Sequence, residues 1–205
     1  MTPAYWSTAA RELAARDTVL KLLIAQFAGL ALGSRGDAFS TLARAIVGQQ
    51  ISVKAAQSVW DRLSDRLETV TPEALDRARK PTLRGCGLSG QKADYLKDLA
   101  GRFLDGSLDA GHWHALDDEI LIGELTQVRG IGRWTAEMFL IFHLARPDVF
   151  PLDDLGLQRA MRLHYNRGRP LSAARMRTLG KAWAPWRSVA TWYLWRSLDP
   201  IPVEY

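Results

Sequence analysis

Cysteine is nearly absent: Cys86 is the single one in 205 residues. One thiol cannot build a disulfide framework, nor a four-cysteine zinc or iron–sulfur site. Long apolar runs are missing too. Nothing approaches the roughly 18 consecutive apolar residues of a membrane-spanning helix, so no membrane association is expected. Met1-Thr2-Pro3-Ala4-Tyr5-Trp6 lacks the basic start and apolar core of a secretion signal, which sets a cytoplasmic expectation, nucleoid-associated in a bacterial cell. There are no runs alternating at strand spacing, no repeats and no low-complexity tract. An acidic excess is lacking as well. With 27 basic against 22 acidic residues the net charge is +5, which suits a polyanionic partner without demanding one.

What is present is helical periodicity. Leu13, Val19, Leu20, Leu23, Ile24 and Phe27 predict one amphipathic helix over residues 8–28. A second pattern begins at Asp37 or Ser40, both plausible caps, and carries Phe39, Leu42, Ala43, Ile46 and Val47. Gly48-Gln49-Gln50 interrupts it, and Ser52 can cap the next helix. Thr71-Pro72-Glu73 is a further start, with proline at the first turn. Residues 91–103, 115–125, 155–165, 172–184 and 186–198 complete an all-α expectation of about ten helices.

One stretch breaks this regularity in an informative way. Residues 125–155 read Leu-Thr-Gln-Val-Arg-Gly-Ile-Gly-Arg-Trp-Thr-Ala, then an apolar run, then Arg146-Pro147-Asp148-Val149-Phe150-Pro151-Leu152-Asp153-Asp154-Leu155. Gly130 and Gly132 can be no more than a tight turn between packed helices. They can also seat a phosphate, because exposed amides at a glycine turn feeding a helix N-terminus bind anions. Asp153 and Asp154 stand at a later helix start, where an aspartate is usually a cap. With two adjacent, Asp153 is expected to cap while Asp154 points elsewhere. A phosphate seat followed by a carboxylate is a workable arrangement for DNA chemistry.

These residues, with Gly48-Gln49-Gln50 and Pro185-Trp186-Arg187-Ser188, resemble the helix-hairpin-helix DNA glycosylases. The likeness is to the alkylation-repair branch, the DNA-3-methyladenine glycosylase II enzymes, and spans roughly residues 40–196. It implies a two-lobed helical unit over 1–205, with the hairpin at about 115–144. One lobe would hold about 30–125 and the other 1–30 plus 126–205, without the N-terminal β-domain of some relatives.

The resemblance also assigns roles. Asp154 becomes the catalytic carboxylate. Gly130, Gly132, Arg133, Thr135, Arg129 and Arg187 become DNA-binding residues, with Arg129 standing where the family usually has proline. Gln49 and Gln50 become the wedge that fills the space of a flipped nucleotide, Gln50 at its tip. Trp134, Trp195 and Met138 line the base pocket. A monovalent cation, sodium or potassium, would sit on backbone carbonyls of Thr126, Val128 and Gly130; no other cofactor and no iron–sulfur cluster is expected. Where relatives that also cut the backbone carry a Schiff-base lysine, this chain has Trp134, which cannot form one.

Breaking an N-glycosidic bond builds positive charge on the sugar, which a carboxylate stabilises. Alkylated purines already carry a positive charge and leave without a strong general acid. The expectation is a monofunctional glycosylase, monomeric, acting on 3-methyladenine and 7-methylguanine in double-stranded DNA by base flipping. Two alternatives stay open: a glycosylase for uracil, a mismatched base or an oxidised base, and a non-catalytic helix-hairpin-helix DNA binder. Arg84, Lys92, Arg167 and Arg169 are further phosphate candidates. His112 and His114, without a third ligand, read as surface groups.

Overall fold

The computed structural model describes residues 2–33 and 36–198. Among them are twelve α-helices, a 3-10 turn at Trp113–Ala115 and no strand. The helices are α1 (Trp6–Arg16), α2 (Thr18–Gln26), α3 (Ala38–Gly48), α4 (Val53–Leu67), α5 (Pro72–Arg77) and α6 (Lys80–Gly85), followed by α7 (Gly90–Leu104), α8 (Asp118–Leu125), α9 (Arg133–Phe142), α10 (Leu155–Asn166), α11 (Ala173–Trp183) and α12 (Arg187–Leu198). Several starts follow from local chemistry. Asp37, Ser52, Thr71, Ser89 and Ser172 each accept a hydrogen bond from the amide three residues on. That exchange satisfies N–H groups the first helical turn would otherwise orphan.

Two expectations change. The single helix over 8–28 is two helices, because Asp17 adopts an extended conformation (φ −137°, ψ 116°) and caps α2. Its Oδ1 accepts from the amides of Val19 and Leu20, at 2.9 and 3.0 Å. Its Oδ2 accepts from the Tyr165 hydroxyl at 2.8 Å and from Trp183 Nε1 at 3.1 Å. A partly buried carboxylate that holds four donors outweighs one more turn of continuous helix. The first hairpin arm is also shorter than the expected 115–125. The 3-10 turn precedes it, and α8 starts only at Asp118.

The described residues divide into two compact units. The first joins the segment before Gly36 to the chain from Leu140 onward; the second is Gly36–Phe139. The division therefore falls inside α9, not near residue 125. The hairpin turn stays with the second unit because its partners, described below, come from α3 and α7.

The first unit is organised on α12, which packs against α1, α2, α10 and α11. Residues Ser188 through Leu194 are all buried, so no face of that stretch is left to solvent. Trp6 meets Trp192 edge to face at 5.2 Å and donates Nε1 to the Tyr193 hydroxyl at 3.3 Å. The second unit is organised on α7, which packs against α3, α5 and α6. It buries only one face, through Ala93, Leu96, Leu99 and Ala100. A row of edge-to-face rings, Phe39–Phe103–Trp113–Phe139, completes that core at centroid spacings of 5.2, 6.0 and 5.5 Å.

Candidate active site

In the second unit, α8 and α9 are joined by the glycine turn. Gly130 has φ +87°, the left-handed region that glycine enters without steric cost. A side chain is excluded there for a second reason. A Cβ on Gly130 would lie 2.1 Å from Cδ2 of Tyr95 on α7. One turn along α7, Asp98 accepts the Arg129 amide at 2.9 Å and the Arg129 guanidinium at 3.2 Å. It also takes Arg102 Nε at 3.3 Å. Partial burial pushes the Asp98 carboxyl up, but these donors outweigh it and hold it below the usual aspartate value. Arg129 has an N–H that proline would not, and Asp98 satisfies it. The turn leads directly into the N-terminus of α9, the kind of helix start whose first amides lack intrahelical acceptors.

The charges around this turn are not as expected. Arg133 lies against both Glu119 oxygens, with Nη1–Oε2 at 2.9 Å, and its Nε donates to buried Glu137 at 3.0 Å. Arg129 is held by Asp98. Thr135 is buried at 9% exposure. Trp134 is 44% exposed, which sets aside core packing as its role, while Met138 one turn on is buried at 8%.

The wedge residues separate. Gln49 donates Nε2 to the Gly130 carbonyl at 2.7 Å and is part-buried. Gln50 is exposed and left-handed, φ 59°. Lys92, a phosphate candidate in the sequence, instead donates Nζ to the carbonyls of Val47 and Gln49, at 2.7 and 2.6 Å.

In the first unit, the segment before α10 delivers Asp154. That segment is tied to the start of α12. Asp148 takes Arg187 in a two-pronged pair at 2.7 and 2.8 Å, Ser188 donates its amide to Pro147 at 3.0 Å, and Ser188 Oγ accepts the Val149 amide at 2.9 Å. Arg187, expected on a phosphate, thus serves this strap.

Asp154 itself is the N-cap of α10. The expected division of labour, Asp153 capping and Asp154 pointing elsewhere, is corrected: Asp153 is exposed, and Asp154 Oδ1 accepts the Leu157 amide at 2.6 Å. The same oxygen accepts Trp195 Nε1 at 2.8 Å. Trp195 in turn stacks on Phe142, with centroids 5.7 Å apart and planes 12° apart. Gly156 makes room for this: a Cβ there would come within 3.3 Å of the indole. Leu155, beside the carboxylate, is 76% exposed. Its apolar exposure next to Asp154 was not evident from sequence, where it reads as an ordinary helix residue.

The model of the HhH-GPD superfamily base excision DNA repair proteins matches residues 43–185. The chain belongs to that superfamily. It is 38% identical to DNA-3-methyladenine glycosylase 1 of Schizosaccharomyces pombe over 165 residues, 78% of this chain and 72% of that protein. Its structure is similar to the crystal structure of the DNA-3-methyladenine glycosidase from Bacillus halodurans, with a TM-score of 0.86 and 34% identity over 93% of this chain and 89% of that one. It is also similar to the Schizosaccharomyces pombe 3-methyladenine DNA glycosylase in complex with abasic DNA, with a TM-score of 0.77 and 30% identity over 97% and 98% of the two chains.

For this HhH-GPD member the cation expected at the hairpin can be tested against the turn. Of the three carbonyls assigned to it, Gly130 O already accepts the Gln49 amide and Val128 O accepts the Ile131 amide at 3.0 Å. Each carbonyl oxygen has a second lone pair, so these hydrogen bonds do not exclude a monovalent cation on the three oxygens. Among the described residues no cluster of three or more His, Cys, Asp or Glu side chains could hold a metal ion, and no helix is long and apolar enough to cross a membrane.

Proposed function

We propose that the protein is a monofunctional DNA glycosylase of base excision repair, which hydrolyses the N-glycosidic bond of alkylated purines flipped out of double-stranded DNA. Its substrates are 3-methyladenine and 7-methylguanine, and one copy of the chain suffices. The observation that carries this reading is the Asp154 corner: a carboxylate fixed by two N–H donors, in a chain of this superfamily. As the bond from sugar to base lengthens, the base departs with the bonding electrons and the sugar becomes an oxocarbenium cation. Asp154, held in orientation beforehand, stabilises that cation without reorganising. It then takes a proton from the water that adds to the anomeric carbon. The cationic base leaves as a neutral molecule, so no general acid is needed. Trp134 cannot form a Schiff base as a lysine would, so the product is an abasic site rather than a cut strand.

The test is release of 7-methylguanine and 3-methyladenine from methylated duplex DNA by the wild type and by Asp154→Asn. Asparagine keeps an oxygen for both donors, so the cap survives while the charge is lost. The expected result is a fall of about 10³-fold or more in rate, with DNA binding retained. Undiminished release by Asp154→Asn would show that another group stabilises the cation. Binding without release by the wild type would favour another lesion or a non-catalytic module.

A further inference from the structure

The two stretches expected to touch DNA in the second unit are far apart in sequence yet bonded to each other. Gln49, at the end of α3, reaches the carbonyl of Gly130 in the hairpin turn at 2.7 Å. Lys92, on α7, closes the other side by donating to the Val47 and Gln49 carbonyls at 2.7 and 2.6 Å. Those oxygens belong to the last turn of α3 and the residue after it, where a helix lacks partners and favours a cation. The same α7 carries Tyr95 against Gly130 and Asp98 on the Arg129 amide.

Between these fixed points stands Gln50, in the left-handed region at φ 59°. That conformation is unfavourable for a non-glycine residue and persists only where the surroundings impose it. Gln49 is pinned on its N-terminal side. On the other, Ser52 caps α4 by accepting the Ala55 amide at 3.2 Å. The exposed side chain at the apex is therefore set by its neighbours' bonds.

We infer that Gln49 and Lys92 are positioning residues, which lock the Gln50 tip to the phosphate-holding turn so that opening the duplex is kept in register with the grip on its backbone. This rests on the proposed glycosylase reading, in which Gln50 enters the duplex. Gln49 is then no part of the wedge surface; it is the tie that holds the wedge in place.

The test compares base release from two substrates: a duplex with one 7-methylguanine opposite cytosine, and the same strand with the lesion in an unpaired bubble. An unpaired base needs little help to leave the stack. Gln50→Ala should lower the ratio of duplex rate to bubble rate by about tenfold. Gln49→Ala and Lys92→Met should lower the same ratio by a similar factor, with melting temperatures close to wild type. A general structural role would lower both rates together and leave the ratio unmoved, and that result overturns the inference. An unmoved ratio in Gln50→Ala alone means that the wedge assignment has failed, and the inference falls with it by a distinguishable route. If Lys92→Met does not fold, Gln49→Ala decides, since the freed Gly130 carbonyl lies in a part-buried position that water can serve.

Discussion

The two organising helices solve opposite problems. Helix α12 is buried on every side from Ser188 to Leu194, and from its last turns it presents Trp195 to the carboxylate of Asp154. Helix α7 buries one face only; its other face reaches out with Lys92, Tyr95 and Asp98 to hold two loops. One helix fixes the orientation of a reacting group, and the other fixes the shape of backbone turns. On the proposed reading, chemistry and grip are carried by separate parts of the chain. Substitutions around α12 should therefore act on kcat, and substitutions at the contacts of Tyr95 and Asp98 with the glycine turn on KM.

Gly130→Ala attacks the α7 side most severely. The new methyl would meet the Tyr95 ring at 2.1 Å, at φ +87°. The expected cost is about 2–4 kcal/mol of stability, read as a lowered melting temperature, with a large rise in KM. A Gly130→Ala protein with wild-type KM would break the comparison. Trp195→Phe sharpens it from the other side. Phenylalanine keeps an aromatic ring for the stack on Phe142 and removes only the N–H on Asp154. A hydrogen bond to a charged group contributes about 1.5–3 kcal/mol, so kcat should fall by about 10- to 100-fold while KM holds.

Asp98→Asn is the mildest. It loosens Arg129 without adding bulk, and a partly exposed ion pair contributes only about 1 kcal/mol. KM should rise a few-fold. The pH dependence has a definite sign. The folded carboxyl sits below its ordinary value of 3.8, so its contribution is complete above that value and is lost as pH falls through the lowered one. Urea melts of wild type and Asp98→Asn should therefore differ at neutral pH and converge in acid.

Local chemistry was readable in the sequence and long-range pairing was not. The caps at Asp37, Ser52, Thr71 and Ser172, the glycine turn and the all-α class follow from residues within a few positions of each other. Asp17 was missed because nothing near it shows that Tyr165 and Trp183 will arrive on its carboxylate. Asp154 was assigned the right helix start but the wrong division of labour with Asp153. The donor that matters, Trp195, lies 41 residues away. Gln49 was grouped with Gln50 because they are adjacent, whereas its partner Gly130 is 81 residues off. Arg133 and Arg187 read as phosphate ligands in the sequence; Glu119 and Asp148, which meet them in the fold, are long-range partners that a sequence does not show.

That last feature bears on how the protein would respond to salt. A net charge of +5 suggests an interaction that displaces many counterions from DNA. Yet the two arginines beside the glycine turn are already matched by Asp98, Glu119 and Glu137, so on the proposed reading a phosphate there would be met chiefly by neutral backbone amides. Contacts made by N–H dipoles displace few condensed ions. The hairpin's hold on the backbone would therefore be a short-range one, weakened only shallowly as ionic strength rises, while any long-range attraction would come from arginines and lysines elsewhere on the surface.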